Sequence, residues 1–244
     1  MHEHTATGLP FVVEGNIGSG KSTLLSLIQK TLSLPILYEP TAAWQQVDGE
    51  HNMLQAFYAD TKRWAYTFQS YAFVSRVRAQ QEYSQAHPKT PHIAERSVWS
   101  DRYCFAKNCY ESGMMNALEW KLYKEWFVWL MQNYVALPAG FIYLRAEPEV
   151  CFARLQKRCR EEESAVTLDY LQALHQKHEA WLIDKEQIED ALRDIPVLIL
   201  DVNQEFVQDA AKQKMLMDKI EQFVIQQSTP TVSCTQHIEH AYRS

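Results

Sequence analysis

Five short apolar runs, each followed by a stretch of helical periodicity, set the rhythm of this chain. Pro10-Phe11-Val12-Val13 predicts a buried strand over 10–14, and Leu24, Leu25, Leu27 and Ile28 predict a helix over 20–33. Pro35 stops that helix, and Ile36-Leu37-Tyr38 predicts a second, short strand. His92-Ile93-Ala94, Phe141-Ile142-Tyr143-Leu144 and Ile195 to Leu200 predict three more. Between them the pattern predicts a short helix over 53–60, a long aromatic-rich helix over 61–86 and a second aromatic helix over 117–136. A helix opening at Pro148, a long polar helix over 167–192 and a last helix over 207–226 complete the set. Residues 41–52 are expected to be a loop, with Asp48-Gly49 as its turn signal. Residues 1–227 read as one unit and 228–244, rich in Ser, Thr, Pro and Gln, as a flexible tail. Strands alternating with helices indicate an α/β fold with a mainly parallel central sheet flanked by helices.

One junction carries chemistry. Gly15-Asn16-Ile17-Gly18-Ser19-Gly20-Lys21-Ser22 reads G-x-x-x-x-G-K-S, and Thr23 continues it into the helix. It lies between a strand and a helix, the context a phosphate-binding loop needs. The glycines let the backbone curl so that successive N–H groups face one anion, and the helix adds the positive end of its dipole. Lys21 supplies a charge for the outer phosphates, and Ser22 a hydroxyl for a magnesium ion.

Other charged groups fall at strand ends, the edge where open α/β sheets bind ligands. Glu39 closes the second strand beside the phosphate loop, and Glu95-Arg96-Ser97 closes the third, with Asp101 and Arg102 just beyond. Glu95 is placed like the acid that serves magnesium in other phosphate-loop enzymes. These same groups also read as a solvated carboxylate and as a helix-capping ion-pair web. On the long aromatic helix Phe68, Ala72 and Arg76 follow a four-residue step and Gln69 shares a face with Arg76. That stripe suits either core packing or a nucleobase pocket. Arg154, Arg158 and Arg160 follow Pro148, suiting either a solvated helix end or a lid closing over a transferring phosphoryl group. His175, His178 and Glu179 lack the further ligands that a metal site needs.

Composition narrows the partners. The 244 residues carry a net charge of −6, which argues against a nucleic-acid polymer. No apolar run is long enough to span a membrane. The five cysteines form no C-x-x-C pair and indicate reduced thiols in a cytosol-like compartment. The early first strand and the lack of Lys or Arg in Met1 to Gly8 argue against a leader, so a cytoplasmic protein is expected. The aromatic helix over 117–136 covers more than one apolar stripe, so it is either deeply buried or meets a partner subunit.

From about residue 10 to 226 the sequence resembles the deoxynucleoside kinases. The motifs that carry the resemblance are the phosphate loop, Glu39-Pro40 with Trp44, Leu54 to Tyr58, Phe68-Gln69-Ser70-Tyr71, Ser75-Arg76-Val77-Arg78 and Glu95-Arg96-Ser97. Ser100-Asp101-Arg102-Tyr103, the segment Arg154 to Glu163, His178 to Leu182 and Leu200-Asp201-Val202-Asn203 extend it. The resemblance implies transfer of the γ-phosphate of ATP, with magnesium, to the 5′-hydroxyl of a deoxynucleoside. By it, Glu39 would be the catalytic base, Arg96 would hold the hydroxyl and the incoming phosphoryl group, and Lys21 would serve catalysis from the loop. Ser22 and Glu95 would serve magnesium. Tyr58 and Glu163 would bind the sugar 3′-hydroxyl. Gln69 would bond the base edge, with Trp44, Leu54, Phe57, Phe68, Ala72 and Phe105 around the base. Arg154, Arg158 and Arg160, in a lid over about 154–166, would cover the phosphates, and Gln204, Glu205 and Phe206 the adenine of ATP. The family also implies a homodimer through residues 53–86 and 117–136.

In the deoxycytidine and deoxyguanosine branches the pair matching Arg76 and Asp101 sits near the base, so the resemblance implies that substrate choice rests on these two, a donor and an acceptor at the far edge of the pocket. That suits the exocyclic groups of guanine, adenine or cytosine and leaves little room for a thymine methyl; Phe152 to Val202 and Lys212-Gln213 resemble the deoxyguanosine branch, so purine deoxynucleosides are expected, with deoxycytidine as the alternative. Gly18-Ser19 and the short segment between Trp44 and Asn52 instead resemble the broad-specificity branch, which takes pyrimidines. Phe57 stands where Met is common, Ala56 is smaller than usual, and Trp99 replaces a commoner Tyr or Phe. Two other classes share some of these features: a thymidylate-type nucleoside monophosphate kinase, and a nucleotide-binding regulatory protein that transfers nothing.

Overall fold

The computed structural model describes residues 8–228 of the chain. The proposed tail beyond Ser228, with Cys234, lies outside the described residues. Five parallel strands, β1 (Pro10–Gly15), β2 (Ile36–Leu37), β3 (His92–Glu95), β4 (Gly140–Arg145) and β5 (Val197–Asp201), form one sheet in the order β2-β3-β1-β4-β5. β1 is central. The chain leaves it towards β2 and β3 on one side and later fills β4 and β5 on the other, so the switch in direction falls at its carboxyl end.

Alternate residues of the strands feed two cores. Val12, Ala94, Phe141 and Tyr143 face one side, and Phe11, Val13, Ile93, Ile142 and Leu144 the other. The second core is closed by α1 (Lys21–Leu32) and α11 (Ala210–Ser228), whose Leu24, Leu25, Ile28, Leu216 and Ile220 are buried. The first is closed by α4 (Thr61–Ala86) and α7 (Ala117–Tyr134). α4 starts where the Asp60 side chain accepts from Arg63 N. α7 starts at a capping box in which Asn116 and Glu119 bond each other's backbone N–H.

Residues 41–52, expected as a loop, contain a short helix, α2 (Thr41–Gln45). It follows Pro40, and it buries Trp44, whose indole donates to Ser75 Oγ on α4. The Asp48-Gly49 turn is there, both residues having positive φ, closed by a bridge between Val47 and His51. α3 (Met53–Ala59) follows. After β3 the chain stays helical through α5 (Val98–Ser100), a wide π turn over Asp101–Ala106 and α6 (Lys107–Glu111), an arrangement the sequence pattern did not bring out.

α8 runs Pro148–Arg158 and ends at Cys159, which is left-handed, so Arg160 lies beyond the helix. The long helix expected over 167–192 is not continuous. α9 (Leu168–His178) widens into a π turn over Glu179–Ile183, breaks at Lys185 and Gln187, both of positive φ, and resumes as α10 (Asp190–Arg193). The widening turns Trp181 and Leu182 into the first core, where the indole meets Phe141 and Tyr103. The last helix starts at Ala210, not 207, because the Gln213 side chain donates to the Phe206 and Val207 carbonyls and holds them in a loop. No helix among the described residues is long and apolar enough to cross a membrane.

Candidate active site

The ends of β1, β2 and β3 converge on one cavity of about 290 Å³. The phosphate loop forms its floor. Gly18 has φ 78, and a Cβ there would lie 2.5 Å from the Cys151 carbonyl oxygen, so only glycine fits. Asn16 pins the loop to α9: its Nδ2 donates to Leu171 O at 2.8 Å, and its Oδ1 accepts from Ile17 N. Lys21 Nζ donates to Gly15 O and Asn16 O at 3.0 and 2.7 Å. Burial, with Arg96 next, pushes the Lys21 amine down to about 7 against the pull of Glu95 and Glu39. A phosphate chain in the loop would restore its charge. Ser19 Oγ is buried without a partner.

Beside the loop four charges interlock. Arg76, from α4, donates through Nε to Asp101 Oδ2 at 2.7 Å and through Nη2 to Asp101 Oδ1 at 3.1 Å. Its Nη2 also reaches Glu39 Oε1 at 2.7 Å, and its Nη1 reaches Glu95 O at 3.2 Å. Four of its five donor directions are used. Arg96 Nη1 meets Glu39 Oε2 at 3.1 Å, and its guanidinium lies over the Phe105 ring at 4.9 Å. Burial pushes Glu39 up, but Arg96, Arg76 and Lys21 outweigh it and hold the carboxyl at about 2. Burial also works against the Arg76 charge, and the carboxylates of Asp101 and Glu39 more than offset it. Ser22 Oγ donates to Glu95 Oε1 at 3.0 Å, and Glu39 N to Glu95 Oε2 at 3.4 Å.

All the residues expected around a nucleoside line this cavity: Glu39, Trp44, Leu54, Phe57, Tyr58, Phe68, Gln69, Ala72, Arg76, Arg96, Asp101, Phe105 and Glu163. Phe57 and Phe68 stack at 4.6 Å, and Trp44 meets Phe68 edge-on. Gln69 Nε2 lies 3.8 Å from Cys109 Sγ. Burial raises the Tyr58 hydroxyl above the usual phenol range, and the Glu163 carboxylate adds to it.

The residues expected around ATP are spread more widely. Ile17, Gly18, Lys21, Ser22, Arg158 and Arg160 line the same cavity. Gln204 and Phe206 line a second one of about 230 Å³ with Asn203, Lys212 and Met215. Glu205 Oε1 accepts from Phe206 N and Val207 N, bracing that loop, and Thr23 is exposed. Arg154 is committed to backbone: Nη1 donates to Ser19 O at 3.2 Å and Nη2 to Val202 O at 2.7 Å. Arg158 pairs with Glu163, and Arg160 lies 3.8 Å from it.

Several lining residues escaped sequence reasoning. Thr41 and Gln45 belong to the stretch expected as loop, and Tyr170 to the helix read as polar. Glu162 was also missed. Its Oε1 accepts from Gln45 Nε2 at 3.0 Å and Asn52 Nδ2 at 3.3 Å, tying the segment after α8 to the α2–α3 segment. A run of three glutamates gives no sign of which one turns outward to that segment.

A phosphate loop, a carboxylate held between two arginines and an aromatic slot thus share one cavity. The family model "Deoxynucleoside kinase" matches residues 11–225. The chain belongs to the deoxynucleoside kinase family. It is 43% identical to deoxycytidine kinase 2 of Gallus gallus, with 87% of this chain and 89% of that protein covered. It is 42% identical to the mitochondrial deoxyguanosine kinase of Xenopus laevis, over 87% of this chain and 88% of that one. It is 38% identical to the mitochondrial thymidine kinase 2 of Homo sapiens, over 78% and 69%. Deoxynucleoside kinases are ATP-dependent phosphotransferases, and the five-stranded parallel sheet with its phosphate loop is the fold of a phosphate-loop kinase. The relatives' names span three different nucleosides.

Proposed function

We propose that this kinase phosphorylates the 5′-hydroxyl of purine deoxynucleosides in preference, accepts deoxycytidine, and uses thymidine poorly. The observation that carries the discrimination against thymidine is the Arg76–Asp101 pair, which lines the cavity together with Gln69, and the lead of purines over deoxycytidine rests on the resemblance of Phe152 to Val202 and of Lys212-Gln213 to the deoxyguanosine branch. Asp101 and the Gln69 amide oxygen are acceptors for exocyclic amino groups, which adenine, guanine and cytosine have and thymine lacks. A site built around such bonds rejects a base that leaves them unpaired.

In this reading the 5′-oxygen attacks the γ-phosphorus, the bond to the β,γ-bridging oxygen breaks, and its electron pair leaves on ADP. Glu39 takes the hydroxyl proton. A carboxylate held at about 2 is a weak base, so it accepts the proton late, when the new P–O bond has acidified the hydroxyl. Arg96, bonded to Glu39 and facing the loop, stabilises the transferring group together with Lys21. Arg158 and Arg160 supply further charge from the lid, and the loop of Gln204, Glu205 and Phe206 covers the adenine. Tyr58 and Glu163 hold the sugar.

Ser22 and Glu95 suit magnesium: they are two hard oxygen donors bonded to each other at the edge of the phosphate loop. Among the described residues no group of three or more His, Cys, Asp or Glu could hold a metal alone. Magnesium shared with nucleotide phosphates needs only one or two protein oxygens, and it supplies charge neutralisation of those phosphates.

Neighbouring helices α4 and α7 leave Tyr71, Val74, Leu118, Leu122, Trp126 and Trp129 exposed, which supports a homodimer formed through these helices. The free thiols of Cys104, Cys109, Cys151 and Cys159 support a reducing compartment such as the cytoplasm, which cell fractionation tests.

The experiment for base choice compares kcat/KM for deoxyadenosine, deoxyguanosine, deoxycytidine and thymidine with ATP and magnesium. A purine lead with thymidine at least about tenfold behind is expected. Thymidine use equal to the purines would overturn the base-reading role of Arg76 and Asp101.

A further inference from the structure

Glu14 takes no part in the chemistry above, yet it is a fully buried carboxylate on β1, one residue before the phosphate loop. Its Oε1 accepts a short hydrogen bond from Ser97 Oγ, and its Oε2 is buried without a partner. A buried acid left half-satisfied is costly, so its place calls for a reason.

The reason lies in the turn it touches. Arg96 follows β3 with φ 58, a left-handed backbone that strains a non-glycine residue and persists only where its surroundings enforce it. Three successive residues of β1 do so. Val13 O accepts from Arg96 N at 2.9 Å, Gly15 O lies 3.4 Å from Arg96 Nη2, and Glu14 holds the hydroxyl of the next residue, Ser97. Ser97 in turn caps α5 through a reciprocal pair of bonds with Ser100. The turn that presents Arg96 is therefore fastened on its far side through Ser97, whose backbone is held by Ser100 and Asp101 and whose hydroxyl is held to β1 by Glu14.

We propose that Glu14 is a positioning residue for phosphoryl transfer: through Ser97 it holds the Arg96 turn in its left-handed form and so aims the Arg96 guanidinium at Glu39 and the transferring group. This rests on the reading of Arg96 as the cation of the transfer step. The carboxylate touches neither substrate, and its effect passes through one hydroxyl. Losing the latch displaces Arg96 without altering the loop that holds ATP or the slot that holds the base.

The test measures kcat, nucleoside KM and ATP Kd for Ser97→Ala, Ser97→Thr, Glu14→Leu, Glu14→Gln and the double variant Glu14→Leu/Ser97→Ala, with Arg96→Lys as reference. Ser97→Ala and Glu14→Leu are expected to lower kcat by about 10–100-fold, the scale of a small misplacement, while KM and Kd stay within about threefold. Ser97→Thr and Glu14→Gln keep the hydroxyl and the acceptor oxygen and restore kcat. The double variant is no slower than Glu14→Leu alone, because the two residues form one link. An unchanged kcat in Ser97→Ala, a parallel loss in kcat, KM and Kd, or additive losses in the double variant would overturn the proposal. If Glu14→Leu does not fold, Ser97→Ala and its threonine rescue decide alone. If Arg96→Lys retains full kcat, the reading of Arg96 fails, which is distinct from a failure at Glu14 alone.

Discussion

Arg76 and Glu39 are bonded at 2.7 Å through Nη2 and Oε1, with both side chains almost wholly out of water. The same guanidinium grips Asp101 through Nε at 2.7 Å. The group that reads the base in the proposed function therefore also holds the proposed catalytic base. A nucleobase that draws Arg76 or Asp101 towards itself changes the field on Glu39, so recognition and rate are coupled through one side chain.

Asp101→Ala should expose that coupling. It leaves Arg76 buried with one carboxylate fewer, and breaking such a pair costs roughly 3–5 kcal/mol of folding stability, read as a lower urea midpoint. kcat/KM should fall for every nucleoside, and the preference for amino-bearing bases should narrow. An unchanged ranking of the four nucleosides would place Asp101 outside base recognition.

Glu39→Gln removes the proton acceptor but keeps the shape. kcat should drop by about 10²–10⁴-fold, the range for a general base, while ATP Kd stays within about threefold. A rapid-quench single-turnover assay reads the chemical step directly. Retention of wild-type kcat would remove Glu39 from the role of base.

Three buried groups set opposing slopes of stability against pH. Glu39, held at about 2 in the folded chain against an ordinary 4.5, contributes stability that is complete above pH 4.5 and lost as pH falls through 2. Burial outweighs the bond from Ser97 and the nearby arginines and raises Glu14 from 4.5 to about 7. The folded state then binds more protons between those values, so Glu14 makes stability fall as pH rises from 4.5 to 7. His178, pushed down by burial from 6.5 to about 3, makes stability rise over its own window. Subtracting the Glu14→Gln profile from wild type isolates one group: the difference in urea midpoint should change between pH 4.5 and 7 and level off only above about pH 8, once the folded-state group has lost its proton. A flat difference throughout would mean that Glu14 does not titrate there.

Trp126 is about half exposed on α7, with Leu122 and Trp129 beside it on the same face. Trp126→Glu places a charge in the middle of the proposed dimer surface. Light scattering should report a mass of two chains for wild type and of one for the variant. A single-chain mass for wild type would remove the dimer.

The strands were legible because β1 and β4 are buried on both faces and so read as continuous apolar runs. The site was legible because Glu39, Glu95 and Arg96 sit where strands end, beside an unmistakable loop. What stayed hidden depends on contacts between distant segments. The helix holding Gln45 forms around a tryptophan that needs Ser75 from α4, 31 residues away. The break after His178 follows from burying Trp181 against β4, which outweighs the helical preference of the polar residues around it. Glu14 reads in sequence only as the last residue of the strand over 10–14, since nothing near it shows that Ser97 lies opposite.

The two bonds that Glu162 accepts from Gln45 and Asn52 have a consequence for turnover. Arg158, Arg160 and Glu163 line the cavity assigned to the nucleoside in the proposed function, so the short segment proposed to supply charge to the reaction would also roof its acceptor. In the proposed function the product would gain a dianionic group beside those arginines, and it would leave once the roof lifts and both bonds to Glu162 break. Departure, more than chemistry, would then pace the steady state. The first turnover should run ahead of the later ones as a burst of monophosphate, and Glu162→Ala, by freeing the roof, should shrink the burst while raising the steady rate.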